Sequence, residues 1–293
     1  MPHQHNKQTA IMKKSILFLS MALAAVLAVS VSCKEDQEYK ARQFYVNAQM
    51  ALAHKDYTLA KQMIDSIRIV YPKAFETRKD AIKLMQQVEL AEQSRTIEYE
   101  DSVLSTLRSG LQAILTPFKL EKNEEYQDLG NWVVESQSPE NNADRCYLRA
   151  QVEEVSGKLT LISTWRGASN IHHGSIKVSV GDTYAQSPVT DDVYEYKDLG
   201  VCYEKCNLKD GQDGGVAAFI ALNRDKEIKL QAIGQNGKGT AVTLTQKDRK
   251  AIAQLYDLSQ VLKTIAEHQS MRDEAARKVK FIMSKMQEES GQE

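Results

Sequence analysis

The sequence lacks the common signatures of catalysis. Beyond residue 32 it contains no Gly-x-Ser-x-Gly elbow, no His-Glu-x-x-His, no paired-glycine dinucleotide fingerprint and no Ser-x-x-Lys, and these motifs mark several large enzyme classes. Their absence favours a non-enzymatic function. The sequence predicts no catalytic residue, no cofactor and no bound metal.

The chain also lacks an apolar run of membrane-spanning length. The run from Ile16 to about Val29 follows Met12-Lys13-Lys14 and is shorter than the roughly 20 residues that cross a bilayer. Two positive charges, a short apolar stretch and small residues at its end are typical of a secretory signal, which we expect to span residues 1–32. Residues 1–11 precede this pattern and are expected to be an upstream start or leftover sequence.

Ser30-Val31-Ser32-Cys33 closes the apolar run. It resembles the lipobox of bacterial lipoproteins, which implies that the Cys33 sulfur carries a lipid such as palmitate and becomes the new N-terminus. Lys34-Glu35-Asp36 resembles the export signal of Bacteroidota-type lipoproteins, which implies anchoring in the outer membrane, with cell-surface display favoured over a periplasmic orientation. Acyl chains add about 0.8 kcal/mol per buried CH₂, so such an anchor needs no spanning helix. Residues 33–40 would form the lipidated tether.

The chain has no block of basic residues. It contains 38 Lys and Arg against 39 Asp and Glu, and loss of residues 1–32 removes three lysines, which leaves a net charge of about −4. Binding to a phosphate backbone depends on clustered Lys and Arg, so nucleic acid is excluded as the main partner. The remaining length suits one large domain or two smaller ones, and shifts in composition favour two.

Glycine and proline are almost absent from Glu38 to Leu115, and apolar residues recur there at spacings of three and four, which predicts α-helices. Within residues 41–116 we expect a helical hairpin, with Lys55-Asp56-Tyr57 as its turn, and then one long helix. The spacing within the hairpin is set by Phe44, Ala48, Ala60, Ile64, Ile67 and Pro72. It resembles one tetratricopeptide unit, and a simple helical hairpin is the alternative interpretation.

Two long amphipathic patterns flank the middle of the chain. One spans Thr77 to Leu115 and the other Gln246 to Met286, and neither is stable alone in water because helices gain most of their stability by burying an apolar face. We expect them to pack antiparallel as a stalk with the middle of the chain inserted at its tip. Pairing of two chains in a homodimeric coiled coil is the alternative. The C-terminal helical region would cover residues 246–293.

Residues 117–245 differ in composition, with most of the glycines and both tryptophans. Alternating patterns in Cys146–Val152 and Lys158–Trp165, separated by Ser156-Gly157, predict a hairpin. With further candidate strands, this region is expected to form an antiparallel β-sandwich-like domain within an α+β fold. The continuously apolar Val216–Leu222 is expected to be the central strand, covered on both faces.

The chain has only four cysteines, and after Cys33 those that remain are Cys146, Cys202 and Cys206. In an exported protein a disulfide is the first expectation, either from Cys146 to one of the others or within the close pair. The alternatives are unpaired cysteines, or a zinc site completed by His172 or His173.

Other polar and aromatic patterns in this region suggest turns and a binding surface. His172 and His173 are neighbours, which point to opposite sides in an extended segment, so a structural or solvated role is expected. Residues 191–192, 210–214 and 234–240 are predicted to be turns rather than calcium or phosphate loops. The aromatic residues Trp165, Tyr194 and Tyr196, with Tyr184 and Tyr203, are candidates for a platform that binds sugar rings or a peptide.

These patterns predict a membrane-anchored, non-enzymatic lipoprotein that acts as a binding or scaffold module in the cell envelope and holds a protein partner. The alternative is a surface component that binds or hydrolyses carbohydrate, with its site in the β domain and a glycan as partner. A cleft with convergent ionisable groups in that domain would favour the alternative. An exposed apolar groove in the helices would favour the scaffold.

Overall fold

The structure, a computed structural model, describes residues 36–234, 237, 239 and 241–290. The predicted signal, Cys33, Lys34 and Glu35 lie outside the described residues. The chain divides into two compact units. The described part of the first, here called the helical unit, comprises residues 36–99 and 272–290, and the second, the mixed unit, comprises Glu100–Met271.

Five α-helices occur in the described part of the chain. They are α1 (residues 36–53), α2 (Tyr57–Val70), α3 (Phe75–Leu115), α4 (Val216–Leu222) and α5 (Gln246–Ser290). The long helices α3 and α5 contribute to both units. None of the described helices combines the length and the apolar character needed to cross a bilayer.

The helical unit is built on the predicted hairpin of α1 and α2. Asp56 caps α2 by accepting the backbone N–H of Leu59 at 3.0 Å, and α2 ends at Val70, just before Pro72, whose ring cannot continue the hydrogen-bond ladder. The buried side chains of its core are mostly small: Ala41, Ala48, Ala51, Ala60, Ile64, Ile67, Ala74, Ala81, Leu84 and Val88. Small residues let the helices approach closely and leave little space between them. Larger apolar side chains such as Phe75 and Ile82 therefore remain outside this core.

The two long helices are in contact within each unit taken separately, as the sequence predicts. In the helical unit, the Gln86 side chain donates to the Glu289 carboxylate at 2.9 Å. In the mixed unit, His268 Nδ1 lies 2.6 Å from a carboxylate oxygen of Glu100, and the Arg108 guanidinium donates to Gln269 at 2.8 Å.

The mixed unit contains two antiparallel sheets. Its strands are β1 (Lys119–Glu121), β2 (Asn131–Val133), β3 (Tyr147–Glu153), β4 (Leu159–Gly167), β5 (His173–Val180), β6 (Thr183–Gln186), β7 (Val193–Asp198), β8 (Val201–Leu208), β9 (Lys229–Gly234) and β10 (Ala241–Thr243). The six-stranded sheet has the order β1-β2-β3-β4-β8-β7, and the four-stranded sheet has the order β10-β9-β5-β6. The predicted hairpin is β3 and β4.

One apolar core joins both sheets, α4 and the first half of α5. The six-stranded sheet contributes Leu148, Leu161 and Leu208 to it, and the four-stranded sheet contributes Ile176 and Leu230. From α5 it takes Ile252, Leu255, Leu258 and Leu262. The predicted α+β fold with a β-sandwich-like part is therefore confirmed. The mixed unit extends beyond the predicted domain of residues 117–245, because apolar side chains of α5 are buried against the two sheets.

Val216–Leu222 is a helix, so the prediction of a central strand there is wrong. The apolar run does not need cover on two sides, since Val216, Ala217, Ile220 and Ala221 are buried on one face of α4 while Leu222 is 84% exposed. Gly215 precedes the helix at φ 81°, and the Asp213 carboxylate accepts the backbone N–H of Ala217 at 2.8 Å. A carboxylate before the first turn is a signal for the start of a helix, but Asp213 belongs to residues 210–214, which were predicted to be a turn.

Candidate functional site

The helical unit carries an apolar groove between α2 and α3. It encloses about 600 Å³, and we call it the helical groove. Its floor includes the buried side chains of Ile64 and Ile67, and its walls include Phe75 and Ile82, which are 58% and 61% exposed. The two exposed side chains lie seven residues apart on α3, which places them on one face of the helix.

Cations border the helical groove. Arg68, Arg78 and Lys79 line it, and Asp65 is the one acidic residue among its lining residues. The Arg68–Asp65 pair is an exposed contact of 3.4 Å within one helix, which holds little energy, and the Arg78 guanidinium donates to the backbone oxygen of Pro72 at 2.8 Å. The groove therefore combines an apolar floor with an excess of positive charge.

A second cluster lies in the mixed unit around the buried carboxylate of Glu204 on β8. One Glu204 oxygen accepts the backbone N–H groups of Ile171 and His172 at 2.6 and 2.9 Å. The other accepts the backbone N–H of His173 at 2.9 Å and lies 2.8 Å from His173 Nδ1. Glu204 and the His173 side chain are fully buried. The segment that joins β4 to β5 is thus folded around one negative charge.

Two effects act on the pKa of Glu204. Burial raises it, but the hydrogen bonds from His173, His172 and Ile171 together outweigh burial, so the pKa lies below its ordinary value. The carboxylate is held ionised because it accepts four N–H donors. Among the described residues, His173 Nε2 has no hydrogen-bond partner although it is buried.

The His172 side chain contacts a different carboxylate from that of His173, and the backbone at His172 has φ 52°, so the segment is not extended there as the sequence argument assumed. Its Nδ1 lies 2.8 and 3.1 Å from the two carboxylate oxygens of Glu195 on β7, and this contact raises the pKa of His172. Both residues line a cleft of about 360 Å³ that also includes Asp191. Convergent ionisable groups are therefore present in the mixed unit. The Nδ1 of each histidine contacts a carboxylate, and the buried Nε2 of His173 contacts no hydroxyl or thiol within the described part of the chain.

His172, Glu195 and Glu204 lie close enough to be considered as metal ligands. Within the described chain their ligand atoms all fall within 4.8 Å of one another. However, both oxygens of Glu204 already accept two N–H groups each, so His172 and Glu195 alone retain free ligand capacity. Protein sites for zinc use at least three side-chain ligands. The Glu204 hydrogen bonds hold the segment between β4 and β5 in place, and the cluster has too few free ligand atoms to bind zinc.

The three cysteines of the mixed unit are free thiols in the described part of the chain. Cys202 and Cys206 lie four residues apart on β8, about 13 Å along an extended strand, while a disulfide needs Cα atoms within about 7 Å. Cys146 contacts the backbone of Arg166 on β4, so β4 separates it from β8. Burial raises the pKa of the Cys206 thiol to about 12. A disulfide or a shared zinc site would require these strands to move.

The predicted aromatic platform is divided between two faces of the six-stranded sheet. Trp165 is paired with Glu204, and Glu204 with Glu195, so these three side chains share the face that carries the core. Tyr194 and Tyr196 flank Glu195 on β7 and therefore point to the opposite face, where Tyr203 joins them. We call Tyr194, Tyr196 and Tyr203 the tyrosine face.

The remaining predicted site residues have structural contacts or lie outside the description. Asp36 lies in the described part of α1 and pairs with Lys40 at 2.8 Å. Asp192 accepts from Asn207, and Asp210 pairs with Lys263, as suits turn residues. Glu195 and Glu204 were not predicted as site residues, because the charge of Glu204 interrupts the alternation of apolar residues along Val201–Leu208.

Scans against protein-family models, curated proteins and solved structures found no significant match to this chain.

Proposed function

We propose that this chain is a lipid-anchored, non-enzymatic protein of the cell envelope that holds a protein partner in the helical groove. The observation that carries the proposal is the groove itself, where Phe75 and Ile82 expose large apolar side chains above a buried floor. Side chains of this kind, rimmed by polar groups, are typical of interaction surfaces.

The anchor is proposed from the sequence. Cys33 follows a short apolar segment and small residues, and its resemblance to a lipobox supports acylation at its sulfur. Lys34-Glu35-Asp36 supports anchoring in the outer membrane with display on the cell surface. Two or three acyl chains give essentially permanent attachment, so the described units would be held close to the bilayer for the life of the protein.

The occupant proposed for the helical groove is an amphipathic helix with acidic residues beside its apolar stripe. A groove between two helices accepts a third helix whose anchors recur at every third or fourth residue. Arg68, Arg78 and Lys79 would face the acidic residues of that helix. Such rim charges favour encounter and register more than affinity, so most of the binding energy would come from the apolar anchors.

Photo-crosslinking in intact cells tests the groove. Benzoylphenylalanine placed at Ile82 of the full chain is expected to give one discrete protein adduct. The same group at Tyr99 is the matched control, since Tyr99 is 62% exposed on α3 but does not line the groove. Adding Arg78→Glu to the Ile82 chain should lower the adduct yield because it repels an acidic partner.

Two outcomes would count against this proposal. Equal adducts from both positions would mean that the groove has no special role, and no adduct from either would mean that it is unoccupied in cells.

A further inference from the structure

The tyrosine face combines aromatic rings with cations and unsatisfied polar groups, independently of the helical groove. Strand pairing sets two rows across β4, β8 and β7. The first row is Arg166, Tyr203 and Tyr196, and the second is Thr164, Lys205 and Tyr194. Tyr203 and Lys205 alternate with Cys206 and Leu208 along β8, so both rows lie on the face opposite the core.

The rings form an open aromatic surface at the sheet edge. Tyr196 and Tyr203 are stacked, with centroids 4.8 Å apart and planes 7° from parallel. Tyr194 lies 5.7 Å from Tyr196 and is 61% exposed, so it has a free ring face. The face of an aromatic ring is negative, and it attracts the slightly positive C–H hydrogens that line one side of a sugar ring.

Three side-chain atoms on this face of the sheet have no hydrogen-bond partner among the described residues. They are the hydroxyl of Thr164, a residue that is 7% exposed, Nε of Arg166, and Nε of Arg149 on β3. Unsatisfied buried polar groups are rare and need an explanation. The Arg166 side chain is 33% exposed, so a ligand rich in hydroxyl and carboxylate oxygens would reach its terminal guanidinium nitrogens, while the Thr164 hydroxyl and Arg166 Nε stay shielded from solvent.

Two cations, Arg166 and Lys205, and one acid, Asp198 at the end of β7, lie on this face of the sheet, so its charge favours an acidic ligand. Arg166 lies over the Tyr203 ring at 5.9 Å, and hydrogen bonding to Tyr203 raises its pKa, so it stays charged. The acid nearest to it, Asp144, is fully exposed and 4.0 Å away, too loose a contact to neutralise it. Lys205 adds a second cation between Thr164 and Tyr194. Arginine is well suited to paired hydrogen bonds with a carboxylate.

We propose that the tyrosine face, with Arg166 and Lys205, binds a saccharide that carries carboxylates. Tyr194 stacks against a sugar ring, and the two cations contact the acid groups. Because β4 and β7 are separated by β8, about 10 Å apart, a ligand that reaches both Arg166 and Tyr194 is longer than one sugar ring.

Calorimetry on the full-length protein in detergent micelles tests this site with a tetramer of galacturonic acid and the neutral galactose tetramer. The acidic tetramer is expected to bind and the neutral one to bind at least tenfold more weakly. Tyr194→Ala should weaken binding of the acidic tetramer about 3- to 10-fold, as the loss of one aromatic contact implies. Arg166→Gln should remove the preference for the acidic tetramer.

Tyr184→Ala is the matched control. Tyr184 is 60% exposed and lies beside Lys177, whose Nζ is 4.0 Å from its ring centroid, but it belongs to the four-stranded sheet. This variant should bind like the unmodified chain. Equal affinity for both tetramers, failure of the acidic tetramer to bind, or equal losses in the Tyr184 and Tyr194 variants would each overturn the proposal.

Discussion

Glu204→Ala is expected to lower the free energy of unfolding of the mixed unit by about 3–5 kcal/mol. The substitution removes the acceptor of three backbone N–H groups and of His173 Nδ1. Each buried donor left without a partner costs about 1–3 kcal/mol. Part of this cost is recovered when water enters the space, so the total is less than the sum over four donors.

Urea unfolding followed by tryptophan fluorescence measures this change. Both tryptophans, Trp132 and Trp165, lie in the mixed unit, so the signal reports on that unit. Glu195→Ala is the control, because Glu195 is exposed and its loss should cost under about 1 kcal/mol. If Glu204→Ala changed stability no more than the control, the hydrogen bonds that Glu204 accepts would not stabilise the mixed unit.

Gly157→Ala is expected to destabilise the mixed unit by about 3 kcal/mol. Gly157 has φ +69°, and a Cβ there would lie 2.7 Å from the backbone nitrogen of Lys263 and 2.8 Å from the backbone oxygen of Ser259. Ser259 also donates its hydroxyl to the Gly157 carbonyl at 2.6 Å. The turn between β3 and β4 therefore lies directly against α5, and neither backbone can move without disturbing the core.

Gly181→Ala separates the two causes of this effect. Gly181 has φ +55°, but a Cβ there meets nothing within 4 Å, so only the backbone strain of about 1 kcal/mol applies. The same urea measurement should show a clearly larger loss for Gly157→Ala. Equal losses would mean that the contact between the turn and α5 adds nothing to stability.

The helices other than α4 and the hairpin of β3 and β4 could be predicted because their signals are local. Apolar spacing, a cap at Asp56 and a proline at 72 mark α2, and alternation around Ser156-Gly157 marks β3 and β4. The run Val216–Leu222 was mistaken because a short apolar segment has the same composition in a buried strand and in a buried helix. Its start signal, Asp213, lay among other turn residues.

The site in the mixed unit could not be predicted because it depends on pairing between distant strands. Glu204 is a charged residue on the buried face of β8, which obscures the alternation of apolar residues that would have marked the strand. Its partners, Ile171 to His173, are about 30 residues away. The same limit explains the error in the aromatic platform, since the registers of β4 and of β7 with β8 together show that Trp165 and Tyr194 face opposite sides.

The helical groove was expected only in general terms. The sequence indicated a helical hairpin with small residues at its crossing, and small residues bury little apolar surface. Which larger side chains then remain exposed depends on how α2 packs on α3, and that places Phe75 and Ile82 outside the core.

Metabolic labelling with an alkyne-tagged fatty acid tests the central claim, that this protein is fixed to a membrane through the sulfur of Cys33. We expect the full chain to carry the label and to sediment with the outer membrane, and we expect Cys33→Ala to lose both properties. Cys146→Ala, which removes another thiol, should be labelled like the unmodified chain. An unlabelled protein, or a Cys33→Ala variant that keeps its label, would contradict the account.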